Sequence, residues 1–302
     1  MTPDRSLVVV ADDYGIGPET SRGIRELACE GHISATVLLV NSPYAKDAVA
    51  AWRRAGWPGE LGWHPNLTLD HPILPPTAVP SLVRPDGSFW PLGRLLLRAL
   101  TGRLNVVDIV AELRAQYGRF CDLVGSPPPL VNAHQHVATF PPVERLLREL
   151  LRGQSPRPFL RRIGEPLATL LRIPGAEIKR VALSWLGRRA ARRAKADGFP
   201  GCSQFAGLTD PAYVADPRFF ARWLRAVPGN TVELMCHPGY HDRTLIGRDC
   251  SADNQYVARR VFELDLLRAA DYSAAIRDAG FRLVAPSEVG SAVPKCRSAI
   301  SA

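Results

Sequence analysis

The sequence predicts a largely parallel α/β sheet or barrel in one domain, and three observations lead there. Short β-rich runs alternate with helical stretches along the chain. The first run, Leu7 to Ala11 (LVVVA), is continuously apolar, as in a strand buried on both faces. Polar clusters stand where several of these runs end, which is where parallel sheets and barrels carry their functional groups. A length of 302 residues, 46% hydrophobic and 22% charged, can bury a large core.

The elements follow in order. After the first strand, Thr20 to Glu30 places Ile24, Leu27 and Ala28 on one helical face, and Gly31 stops it. Ala35 to Val40 is strand-like, Ala45 to Ala55 helical, and a short strand ends at Gly62, Trp63 and His64. Pro65 to Gly93, rich in Pro and Gly, reads as a long loop or lid. Asp108 to Val124 is the most periodic helix, with Ile109, Leu113, Gln116, Phe120 and Val124 at three- and four-residue spacing. Pro127, Pro128 and Pro129 end it before a strand at Leu130 to Asn132. Helices follow at Val143 to Leu151 and Ala215 to Ala226, then a strand at Thr231 to Cys236 (TVELMC). Asp265 to Ala279 reads as the last long helix and Phe281 to Val284 as the last strand. The domain is expected over residues 1–290, with 291–302 a frayed tail.

Composition narrows the function. The N-terminus lacks the long apolar stretch of a signal peptide, and no run approaches the roughly 18 apolar residues of a spanning helix. Six scattered cysteines without a CxxC pair argue against a disulfide framework and a zinc–cysteine site. A reduced, cytoplasmic protein is expected. The net charge of +9 belongs to one segment: Arg157 to Lys195 holds eleven basic residues against two acids, while the rest is balanced. Its arginines interleave with Phe159, Leu160, Ile163, Leu167, Leu170, Leu171, Val181 and Trp185. This composition suits a solvated helical insertion at about 157–195 or an element lying on an anionic membrane surface, peripheral on the inner face. Nucleic acid is not expected, because no recognition motif is present.

Four clusters lie at predicted strand ends: Asp12 and Asp13, His64, His134 and His136, and His237. Alone, each has an ordinary reading as a helix cap, a turn or a hydrogen-bonded imidazole. Together they can converge on one pocket, where one Asp and two His suffice to hold a divalent ion with open positions. Such a site makes a hydrolase: the ion activates water, a second carboxylate takes its proton, and an imidazole opposite, for which His237 is the candidate, protonates the leaving group. A metal phosphoesterase would need a second metal or phosphate-clamping arginines, which the strand ends do not supply. Trp63, Trp90 and Tyr240 are candidates for stacking on a sugar.

The ordered set Val10-Ala-Asp-Asp-Tyr-Gly15, Thr36 to Pro43 with Asn41, Gly62-Trp-His64, Pro80-Ser-Leu82, Asp86-Gly-x-Phe89, Glu112-x3-Gln116-x3-Phe120, Asn132-Ala-His-Gln-His-Val137 and Met235-Cys-His-Pro-Gly239 resembles the YdjC-like carbohydrate deacetylases from Leu7 to Glu288. The resemblance implies a distorted TIM-like (β/α) barrel, one divalent ion (zinc or magnesium, with manganese or cobalt also accepted) and removal of an N-acetyl group from an amino sugar. It implies Asp13, His64 and His134 as ligands, Asp12 as base and His237 as acid. His136, Asn132, Trp63, Tyr240 and Asn41 are the candidate substrate contacts. The family commonly carries Asp where this chain has Asn132 and often His where it has Ala138. The stretch Glu233 to Tyr240 with Asp242 and Leu245 to Asp249 looks like the branch associated with hopanoid biosynthesis, which implies a lipid-linked N-acetylglucosamine; the alternatives are soluble chitooligosaccharides or a non-catalytic membrane scaffold. Oligomeric state is not readable from the sequence.

Overall fold

The computed structural model describes residues 5–251 and 255–289, so the predicted tail lies outside the described residues. Its sheet contains β1 (Arg5–Tyr14), β2 (Ala35–Leu38), β3 (Glu60–Trp63), β4 (Leu130–Val131), β5 (Phe159–Leu160), β6 (Gln204–Ala206), β7 (Thr231–Cys236) and β8 (Phe281–Leu283). All pairings between these strands are parallel, in the order β5-β4-β3-β2-β1-β7-β6, with β8 beside the first residues of β1. Beyond the two ends of that order, Leu160 N–H donates to Pro200 C=O at 2.9 Å, so β5 approaches the segment that leads into β6.

Alternation along β1 separates two apolar layers. Leu7, Val9, Ala11 and Tyr14 join the main core, with residues of α1 (Pro18–Cys29), α2 (Ala45–Arg54) and α4 (Val106–Val124). Val8 and Val10 meet Ala35, Val37, Leu130 and Phe159 on the other side. Close approach between strands has a local cause: a side chain at Gly62 would run into Leu130, so β3 and β4 need glycine there.

The helices follow the expected signals in part. Pro18 opens α1, and the Asn105 side chain accepts the Val107 N–H at the start of α4, which Gly125 ends at φ 90°. The lid-like stretch, read as loop, carries an isolated bridge between Val83 and Phe89 and ends at α3 (Leu92–Leu100). The expected Asp265 to Ala279 helix is two helices, α10 (Tyr256–Arg268) and α11 (Ala270–Asp278), because Ala269 leaves the helical region at ψ 141°. The expected Ala215 to Ala226 helix begins only at Phe219, as α9 (Phe219–Ala226), and a separate short α8 (Pro211–Val214) precedes it.

The basic segment is only partly an insertion. It begins inside the sheet with β5 and continues into α6 (Leu167–Arg172) and α7 (Glu177–Ala196). A Cβ at Gly187 would overlap the backbone of Ile163, so this glycine lets α7 lie close against the chain after β5. Arg180 is fully buried, paired with Glu165 and bonded to backbone carbonyls, which ties α7 to α6.

Candidate active site

Two consecutive residues of a regular strand face opposite ways, yet Asp12 and Asp13 both line one cavity. The strand is bulged there: its register against β2 shifts between Ala11 and Tyr14, and Asp13 takes φ 70°. Asp tolerates this left-handed conformation better than most residues. Asp12 continues the inner face, the bulge turns Asp13 to join it, and Tyr14 returns to the helix side.

His64 extends β3, donating its backbone N–H to Leu38 C=O at 3.0 Å. Its Nδ1–H donates to Asn132 C=O at 3.0 Å and also meets Asn132 Oδ1, which leaves Nε2 free to act as a ligand, 3.3 Å from Asp13 Oδ1. His134 and His136 lie in a short 3-10 turn over His134–Thr139, where Gln135 and His136 have φ 50° and 58°. They are therefore not alternate residues of a strand. His134 Nδ1 stands 3.0 Å from Asp13 Oδ1.

Asp13, His64 and His134 are all buried, and one donor atom from each lies within 4.8 Å of the others. One carboxylate oxygen and two imidazole nitrogens, all from buried residues, fit a divalent ion. Burial alone would raise the Asp13 pKa, but the Arg260 guanidinium, 2.7 Å from Oδ2, and the two imidazoles hold it well below the usual carboxylate range.

Asp12 occupies a different environment. Arg161 grips both its oxygens, Nη1 to Oδ2 at 2.6 Å and Nη2 to Oδ1 at 2.8 Å, while Arg161 Nε reaches Glu233 at 2.6 Å. Burial pushes Asp12 up, yet the Arg161 charge prevails and sets it at about 2. His237 Nε2 lies 3.9 Å from Asp12 Oδ2. Burial and the nearby Arg259 charge lower His237 to about 4, so its imidazole is neutral at pH 7. Glu263 fixes this corner by accepting the His237 backbone N–H and pairing with Arg259 at 2.7 Å.

Asn132 bridges two of these residues. Its Oδ1 faces His64 Nδ1 while its Nδ2 donates to Asp12 Oδ1 at 3.1 Å. An amide serves a donor and an acceptor at once, whereas a carboxylate here would face Asp12 with like charge.

Of the five residues proposed as substrate contacts, only His136 lines the cavity, and burial holds its imidazole in the neutral form. The structure places the others outside the cavity lining. The Asn132 amide is engaged inside the protein, as above. Trp63 is fully buried edge-on to Tyr117 and packs the core. Tyr240 donates its hydroxyl to Glu26 and lies under Arg22, on the α1 side. Asn41 bonds Leu69 and His71 carbonyls and Asn66, organising the loop after β3. Sequence reasoning missed Arg161, Glu233, Asp249, Arg259, Arg260 and Glu263. Glu233 carried a usable signal, a carboxylate inside an apolar strand that must find a cation; the arginines were hidden among surface charge or in a helix.

The cavity measures about 280 Å³ and is also lined by Leu92, Lys179, Leu208, Met235, Asp249 and Tyr256. Relatives of the whole chain share its length. The chain is 32% identical over 284 residues to a chitooligosaccharide deacetylase of Serratia marcescens, covering 93% of this chain and 97% of that one. It is 30% identical over 307 residues to a carbohydrate deacetylase of Mus musculus, covering 97% of each. Its fold is similar to that of an Enterococcus faecalis V583 protein named for cellobiose-phosphate cleavage, with a TM-score of 0.72 at 22% identity, covering 94% of this chain and 98% of that one. The profile described as YdjC-like protein matches residues 6–278, a span that contains every side chain of the site, and the chain therefore belongs to the YdjC-like family.

Proposed function

We propose that the protein is a metal-dependent carbohydrate deacetylase that removes the N-acetyl group from an N-acetylglucosamine-type sugar and releases acetate. The observation that carries this reading is the Asp13, His64 and His134 triad standing beside the Asp12 and His237 pair in one cavity. Asp13, His64 and His134 would hold the ion, whose Lewis acidity polarises the acyl carbonyl and acidifies water. The rest falls to the chain. Asp12, ionised and anchored by Arg161, accepts the proton of the attacking water. His237 enters neutral, so the proton it gives to the leaving nitrogen is one collected from that water through Asp12, 3.9 Å away. Zinc, magnesium, manganese and cobalt all accept this donor set.

Acetate release, measured with and without a chelator on lipid-linked N-acetylglucosamine and on chitobiose, tests the activity. Chelator-sensitive release is expected; no release from a metal-loaded protein on either substrate would overturn it. Asp12→Asn is expected to keep the metal while turnover falls on the order of 10²- to 10⁴-fold. Metal content and acetate release measured on one sample check this, and unchanged turnover would remove Asp12 from the base role.

The finer reading is a lipid-linked substrate met at an anionic bilayer, and the exposed face of α7 supports it. Ile178, Val181 and Trp185 point outward at 89%, 56% and 56% exposure, at helical spacing with Arg189 and Arg192. Arg189 covers the Trp185 ring at 3.8 Å. Leu167 and Leu171 of α6 are exposed as well. Lys179 lines the cavity, so the helix that carries this face also reaches the site. No helix among the described residues is long and apolar enough to cross a membrane, so contact would be peripheral. Replacing Arg189 and Arg192 by Ala should weaken binding to phosphatidylglycerol vesicles about 30-fold, at about 1 kcal/mol per basic residue. Chitobiose turnover should not change. Unaltered vesicle binding would remove the membrane reading and favour a soluble chitooligosaccharide.

A further inference from the structure

An imidazole that binds a metal through one nitrogen needs an acceptor for the N–H on the other, and that partner fixes the ring. For His64 the acceptor is Asn132. For His134, Nδ1 faces the triad, while Nε2 is buried without a hydrogen-bond partner. The carboxylate that meets this nitrogen belongs to Asp249, whose Oδ1 lies 3.9 Å away. Resting on the metal-dependent reading above, we propose that Asp249 is a positioning residue of the metal centre, holding His134 through Nε2 so that Nδ1 is presented to the ion.

Three features build Asp249 into the centre. Arg260 Nη2 lies 2.7 Å from Asp13 Oδ2 and 3.5 Å from Asp249 Oδ2, so one guanidinium spans the outer oxygens of both carboxylates. Their inner oxygens then approach opposite sides of one ring, Asp13 at Nδ1 and Asp249 at Nε2. The segment leading into Asp249 is also pinned. Asp242 accepts the Glu19 and Thr20 backbone N–H groups at 2.9 Å, and Arg248 pairs with Asp70 at 2.5 Å and donates to Ile16 C=O at 2.6 Å. Finally, the Asp249 side chain is 13% exposed and lines the cavity, so its charge acts through little solvent. Forming the N–H···O bond requires closing about 1 Å. A bound cation favours that movement by making the ring N–H a stronger donor.

The test uses the full chain with zinc and with cobalt(II). Asp249→Ala is expected to weaken zinc 10- to 100-fold in competition with a chelating dye, the range for loss of such a partner. Asp249→Asn should recover part of the loss, because its Oδ1 still accepts. The visible bands of the cobalt(II) protein should stay in place in both variants, since the ligand set is unchanged. Unchanged zinc affinity in Asp249→Ala or shifted cobalt bands would each overturn the assignment; the latter would make Asp249 a direct ligand. Wild-type protein that binds neither ion would instead overturn the metal reading, and this assignment with it. Thermal unfolding of the metal-free variants separates a misfolded chain from a weakened centre.

Discussion

His64→Ala and His134→Ala are expected to lose the metal and acetate release together. Each leaves two of the three ligands in a buried cluster where no other imidazole among the described residues joins the set. The Asp13 carboxylate would keep Arg260 as its partner, so the pocket should stay folded while its affinity for the ion collapses. A Lewis acid worth several kcal/mol of transition-state stabilisation makes the expected fall in turnover at least about 10³-fold. Metal analysis after gel filtration, run beside acetate release, checks both halves. Full occupancy in either variant would remove that histidine from the ligand set, and full activity in a metal-free variant would end metal dependence altogether.

The second large effect is on stability. Arg161 is buried between Asp12 and Glu233, and truncation to Ala would leave two buried carboxylates without their cation. Breaking a buried ion pair by removing one partner costs about 3–5 kcal/mol. Chemical denaturation should therefore shift by that amount for Arg161→Ala, whereas Arg192→Ala, on the exposed face of α7, should stay within about 0.5 kcal/mol. Arg161→Lys should rescue only in part, because an ammonium cannot grip both Asp12 oxygens and Glu233 in one plane. The effect carries a pH signature. Asp12 is depressed to about 2 in the folded chain, so its pairing contributes fully above the unfolded carboxylate value of about 3.9 and is lost as pH falls through about 2. The difference between wild type and Arg161→Ala should shrink across that window, and a variant equal to wild type at pH 7 would refute the account.

Much of this was legible in the sequence where the signal is local. LVVVA, the periodic Asp108 to Val124 helix and TVELMC announce a parallel sheet with helical crossovers, and the polar residues at the strand ends fall into one cavity. What stayed hidden depends on contacts distant in sequence. β6 has three residues and β5 two, too short for any periodicity to register. The break at Ala269 has no proline or glycine to announce it. Arg161 stands among ten other basic residues, and only the fold separates the one that reaches Asp12 from those that face solvent. The aromatic candidates lie away from the cavity lining for the opposite reason. Trp63 sits one residue from a ligand in sequence, but strand alternation sends it into the core.

The bulge at Asp12 and Asp13 also constrains which insertions and deletions the chain can accept. A strand is a two-phase ruler, and the bulge resets the phase once, between the apolar half of β1 and Tyr14. Losing a single residue there would restore strict alternation. One acid would keep its place in the cavity and Tyr14 its layer, but the adjacent pair would be gone. Substitutions can be tolerated one at a time along this strand, but its register cannot drift, because one-residue slippage would turn the Asp13 charge toward the layer of Ile24, Ala48 and Trp52.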